Sequence, residues 1–202
     1  MSNANDVLHA FILLDRSGSM ASRWEEVLGA IDAYVRELGE AVATLATFDA
    51  VGTLKYEVIR DRVPSTDWKP LTPRDASPRG MTPLLDALAR IVADAEAAGA
   101  AKTVLVIVTD GAENSSREVT RENAKAAIDR CKSRGWQVVF LGADFDAFAE
   151  AGLIGVGDDQ AMVMIKGRYE RALRRVAHHT RLYATKGERF LFTEEDRDEA
   201  AR

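Results

Sequence analysis

Apolar positions in this chain alternate between two rhythms from one end to the other. Val7–Leu14 is apolar almost without break and short, which predicts a strand buried on both faces. In 23–38, Trp24, Val27, Leu28, Ile31, Tyr34, Val35 and Leu38 recur at helical spacing. Ala41–Phe48 and Thr53–Arg60 read as strands. Only Asp49 to Gly52 separate them, too few residues for a parallel crossover, so the pair is expected to be antiparallel. A helix is expected at Pro83–Ala98, and then the strongest strand of the chain at Lys102–Thr109, almost wholly apolar or β-branched. Arg121–Arg134 reads as a helix that Gly135 ends in a left-handed turn. Trp136–Leu141 follows as a strand, Phe145–Ala151 as a short helix and Ala161–Ile165 as a last strand. Arg168–Thr185 is an amphipathic helix with Tyr169, Leu173, Val176 and Tyr183 on one face.

Strand alternating with helix predicts an α/β fold: a Rossmann-like doubly wound sheet, mostly parallel with one antiparallel edge strand, and helices on both faces. In such sheets ligands bind beyond the carboxyl ends of the strands, where the strand order reverses. That rule turns spacing into geometry. Asp15 closes the first strand, Asp110 closes the central one, and Thr82 precedes a helix that starts at the same edge. Thr82 is expected as that helix's N-cap, with Pro83 in the first turn. All five prolines (64, 70, 73, 78 and 83) fall between Arg62 and Leu84, a long loop stiffened by repeated φ restriction. Residues 1–192 read as one domain, and 193–202, rich in Glu, Asp and Arg, as an unstructured tail.

Composition narrows the function classes. The 202 residues carry a formal net charge of −5, which argues against a nucleic-acid surface. The single cysteine, Cys131, cannot form an intrachain disulfide, and its place in a helix makes it a core residue, not a nucleophile. No apolar run approaches the roughly 20 residues that cross a membrane, and the first residues do not read as a secretory signal. A cytoplasmic, stand-alone protein without a membrane partner is the expectation.

The chemistry sits in three loops. Asp15-Arg16-Ser17-Gly18-Ser19 supplies one acid and two hydroxyls on a tight turn, a set that suits a small hard cation such as Mg²⁺. Gly80-Met81-Thr82-Pro83-Leu84 and Thr109-Asp110-Gly111 are the other two. In this order, and over essentially the whole chain, the three resemble the metal-ion-dependent adhesion site of a von Willebrand factor type A domain, with no position substituted. By that resemblance Ser17 and Ser19 bind the metal directly, Thr82 directly or through water, and Asp15 and Asp110 hold coordinating waters. An open position then takes an Asp or Glu from a partner protein. The resemblance implies Mg²⁺ or Mn²⁺, with Ca²⁺ less suited, and an adaptor rather than an enzyme. Cytoplasmic bacterial and phage-borne proteins of this kind partner AAA+ ATPases or belong to stress and phage-conflict systems.

Other positions have two readings. Asp49 is either a further acid at the site or a hairpin-turn residue. Asp144 and Asp146 either rim the site or cap the short helix, with capping favoured. Glu113, Asn114 and Ser115 are expected to shape the metal face. Arg16, Arg74 and Arg79 read as solvated charges that could also select an acidic partner. Trp68 either packs its loop or anchors a partner. Adjacent helical residues point about 100° apart, so His178 and His179 do not make a metal pair. The rival reading is a metal-dependent hydrolase. It lacks a histidine base near the site, and Asp15 has no second acid at i+2. A scaffold with an idle metal site is the third.

Overall fold

A computed structural model of the chain describes residues 7–143 and 146–201. One six-stranded sheet forms its centre, with strands β1 (Leu8–Asp15), β2 (Ala41–Val51), β3 (Thr53–Pro64), β4 (Thr103–Thr109), β5 (Gln137–Gly142) and β6 (Ala161–Val163) in the order β3-β2-β1-β4-β5-β6. Every adjacent pair is parallel except β2–β3, the expected antiparallel edge hairpin. β3 extends beyond Arg60 to Pro64 because the pairing passes through a bulge. There the Arg62 N–H donates to Thr44 Oγ1 at 3.0 Å, and Arg62 takes a positive φ of 47°.

The helices are α1 (Trp24–Glu37), α2 (Leu84–Ala98), α3 (Arg121–Ser133), α4 (Ala147–Leu153), α5 (Tyr169–Lys186) and α6 (Glu194–Ala201). β1 and β4 are buried along their whole lengths and divide the interior into two cores. One holds Ile12, Leu14, Val106 and Val108 with α1 and α5; the other holds Phe11, Leu13, Leu105 and Ile107 with α2 and α3. Alternate residues of a strand face opposite sides, so a central strand with an unbroken apolar run feeds both cores. Gly135, at φ +77°, ends α3 as expected, and Cys131 lies on the buried face of that helix.

The proline-rich loop is tied down by one buried acid. Asp32 of α1 accepts from Trp68 Nε1 at 2.8 Å and from the Leu71 N–H, and Trp24 Nε1 donates to the Ala76 carbonyl. Trp68 is thus buried as a loop anchor and presents no face to a partner. The expected unstructured tail is instead helical from residue 194. Thr193 and Asp196 exchange capping hydrogen bonds, Asp196 also meets His179, and Ala200 is buried. Three of the acids that suggested disorder, Glu194, Glu195 and Asp196, lie in the first turn of α6, where they suit the helix dipole.

Candidate metal centre

The strand order reverses between β1 and β4, since β2 lies on one side of β1 and β5 on the other side of β4. Asp15 ends β1 and Asp110 follows β4, so both acids emerge at the switch point. Past Asp15 the chain turns directly into a 3-10 helix at Gly18–Arg23, which carries Ser19 back over the strand ends.

Hydrogen bonds knit the first and third loops together. Ser17 Oγ and Ser19 Oγ are 3.0 Å apart, and Ser19 Oγ donates to Asp110 Oδ1 at 2.6 Å. The Asp15 carboxylate is held from two sides, by the Ser17 N–H at 2.7 Å and by the Thr109 hydroxyl at 2.6 Å. Asp15 is fully buried, and burial pushes its carboxyl up to about 6. The hydrogen bonds from Thr109 and Ser17 only partly offset this, and the neighbouring Asp110 charge adds to it. A cation there would relieve both burial and repulsion.

The second loop is locked to the other two by its backbone. The Gly18 N–H donates to the Gly80 carbonyl, and Ala50 and Met81 exchange a pair of hydrogen bonds. Gly80 has φ +71°, and a Cβ there would lie 2.3 Å from the Ala50 carbonyl oxygen, so this approach requires glycine. Asn114 clamps Thr82 in both directions: its side chain accepts from the Thr82 N–H and its N–H donates to the Thr82 carbonyl.

Thr82 is not the N-cap of α2. Pro83 holds that position, and no side-chain cap bond is made there. The opening N–H groups of α2 are satisfied from the loop after β4, Leu85 by Glu113 and Asp86 by the Ser116 hydroxyl. Asp86 in turn accepts from the N–H groups of Arg117, Glu118 and Val119. Glu113 and Asn114 therefore do shape this face. A Cβ on Gly111 would sit 3.3 Å from Thr82 Oγ1, so the absent side chain leaves room beside that hydroxyl.

One arginine differs from expectation and another had none. Arg16 is buried, not solvated: Nε lies 2.7 Å from Asp49 Oδ1 and Nη1 2.5 Å from Glu57 Oε2. Asp49 is fully buried within β2, so it is not a turn residue; it is shared by Arg16 of the first loop and Arg79, and its Oδ2 lies beside Gly80 of the second loop. Arg23, which sequence reasoning passed over, lies buried with Nε 3.4 Å from Asp110 Oδ2 and donates to the Tyr169 hydroxyl at 3.0 Å. Thr109 was missed too, although its place just before Asp110, at the end of a strand, was a usable signal. Arg74 is exposed. Asp146 caps α4 by accepting from the Ala149 N–H, while Asp144 lies outside the described residues. His9 lies at the far end of β1, hydrogen-bonded to Thr44.

No family model and no curated protein sequence matches this chain. Solved structures do. A von Willebrand factor type A protein from Catenulispora acidiphila superposes with a TM-score of 0.61 at 14% identity, over 87% of this chain and 42% of the other. The von Willebrand factor domain of a type V pili tip protein from Porphyromonas gingivalis gives 0.68 at 10% identity, over 90% and 97%. The chain has the von Willebrand factor type A fold. Proximal thread matrix protein 1 from the mussel byssus, solved with a zinc-occupied metal-ion-dependent adhesion site motif, gives 0.62 at 16% identity over 85% of this chain and 47% of its own. The chain thus spans under half the length of two of these proteins. At such identities the likeness establishes the architecture alone.

Among the described residues no group of three His, Cys, Asp or Glu is placed to hold a metal. The three loops offer a different donor set, two carboxylates and three hydroxyls, all oxygen. That chemistry fits a small hard cation better than zinc, which favours nitrogen and sulfur. Among the described residues no helix is long and apolar enough to cross a membrane.

Proposed function

We propose that the chain is a divalent-metal-dependent protein-binding module that recognises an Asp or Glu of a partner. The observation that carries this is the meeting of Ser17, Ser19 and Asp110 in one hydrogen-bonded chain at the switch point, beside buried Asp15 and the clamped Thr82. Ser17, Ser19 and Thr82 would hold the ion, with Asp15 and Asp110 orienting its waters; Mg²⁺ or Mn²⁺ suits these oxygens better than Ca²⁺. When bound, the ion supplies a positive centre for a partner carboxylate.

The chain's own residues prepare that centre. Thr109 and the Ser17 N–H occupy the Asp15 oxygens and fix the carboxylate, so it serves as an organiser and not as a nucleophile. Arg23 moderates the charge of Asp110. Hydroxyl ligands leave the ion short of negative charge, which favours capture of an outside acid. Among the described residues no histidine lies at this edge to act as a base; His9 is at the opposite end of β1. The reading is therefore a binding module and not an enzyme. By analogy, an AAA+ ATPase or a stress or phage-conflict component in the cytoplasm is the partner to seek.

The test is a pull-down from the native host with wild type and Thr82→Ala, each in Mg²⁺ and in EDTA. The expected result is a partner held by wild type in Mg²⁺ and lost in the other three conditions. A partner retained equally in all four would overturn the metal-bridged reading. So would phosphate-ester turnover abolished by Asp15→Ala.

A further inference from the structure

The exposed side of α5 carries a row of cations that the metal centre does not use. Arg171, Arg174, Arg175, His178 and Arg181 fall at three- and four-residue intervals on one helical face, over about 15 Å. With Glu199 of α6 they line a groove of about 440 Å³. In a chain of net charge −5 such a concentration is a local reversal of sign.

The row already meets carboxylates of the chain itself. Three carboxylates from three elements meet it. Glu37 at the end of α1 pairs with Arg174 at 3.5 Å and Arg181 at 3.7 Å; Glu170 pairs with Arg174 at 2.6 Å; and Glu199 pairs with Arg175. Glu199 belongs to α6, where Glu194, Glu195, Asp196, Asp198 and Glu199 face a single arginine, Arg197. An acidic helix of the chain thus already lies along α5 and places a carboxylate on the row. Among the described residues, Arg171 and His178 take part in no ion pair, which leaves the first member of the row and one in its middle open to an outside acid.

We infer that the α5 row docks an acidic helical segment of a partner protein, with carboxylates at three- and four-residue spacing that match the arginines. Guanidinium forks bind carboxylates bidentately, and the match of helical spacings lets several engage at once. The carboxylates among the arginines, and the negative charge of the chain as a whole, disfavour a nucleic-acid backbone. Glu199 competes for the same forks from within the chain. The surface works without a metal and stands independently of the reading given above.

The experiment is fluorescence anisotropy with a labelled alanine-based peptide of about 16 residues bearing glutamates at helical spacing. It is run at low salt, in EDTA and again in Mg²⁺. Saturable binding of equal strength in both buffers is expected, with no binding of the glutamine version. Exposed Arg171 is the first variant, because its replacement by alanine breaks no ion pair within the described fold. Arg171→Ala should weaken binding about 10-fold at an unchanged melting temperature. Glu199→Gln should tighten it about threefold by removing the internal competitor. Several results would overturn the inference: no preference for the glutamate peptide, indifference to Arg171→Ala, binding only in Mg²⁺, or a single-stranded RNA that binds as tightly as the peptide.

Discussion

Arg16 follows Asp15 in the chain, yet the two side chains serve different ends. Asp15 faces the switch point, while Arg16 turns under the edge hairpin and neutralises Asp49. Removing one partner of a buried pair leaves a charge without compensation, at about 3–5 kcal/mol. Arg79 still reaches Asp49, so Arg16→Met should fall at the low end, about 3 kcal/mol in urea unfolding, and Arg16→Met/Asp49→Leu should recover part of it. Gly111 offers the complementary test. Gly111→Ala puts a methyl against the Thr82 hydroxyl with no backbone strain. It should weaken Mn²⁺ binding about 10-fold with little change in melting temperature, as read by calorimetry.

His9 gives the fold a pH dependence far from the metal centre. Burial lowers its imidazole from 6.5 to about 4, against a smaller opposing pull from Asp61. Between these values the unfolded chain binds a proton that the folded chain refuses. The stability is therefore whole above about pH 6.5 and is lost as pH falls toward 4, by up to about 3 kcal/mol. The raised carboxyl of Asp15 acts in the opposite direction over much of the same window, so the His9 share is read as a difference: denaturant midpoints of wild type and His9→Phe should diverge as pH falls from 6.5 toward 4, with wild type losing the more.

At the scale of elements, the legible parts were those fixed by local periodicity. β1 and β4 are buried at every position and apolar through their middles because both faces are covered, and α1 and α5 show their buried stripes plainly. The three loops of the site were legible because each follows or precedes such an element. What stayed hidden was long-range capping. Nothing near Thr82 in the sequence shows that Glu113 and Ser116, some 30 residues on, take over the N–H groups that a threonine cap would otherwise bind. The Arg23–Asp110 pair and the burial of Arg16 likewise depend on tertiary neighbours. α6 was hidden by composition, since its five acids read as a solvated tail until Asp196 is seen to meet Thr193 and His179, and Glu199 to meet Arg175. Asp86 makes this scale testable. Its carboxylate gathers three N–H groups of the loop after β4, so Asp86→Ala should free that loop. Faster hydrogen exchange at Arg117–Val119 is expected, with protection of β4 unchanged.

At the scale of the whole molecule, a doubly wound sheet with its switch point between β1 and β4 brings residues 15, 82 and 110 to one edge, and their loops lock one another there. The central claim is that these residues bind one divalent cation. The most direct measurement is a Mn²⁺ titration followed by electron paramagnetic resonance, in which the signal of free Mn²⁺ reports what remains unbound. The account predicts saturation at one Mn²⁺ per chain, displacement by excess Mg²⁺, and loss of binding in folded Ser19→Ala. Free Mn²⁺ that tracks the added metal from the first aliquot, or equal binding by Ser19→Ala, would contradict it.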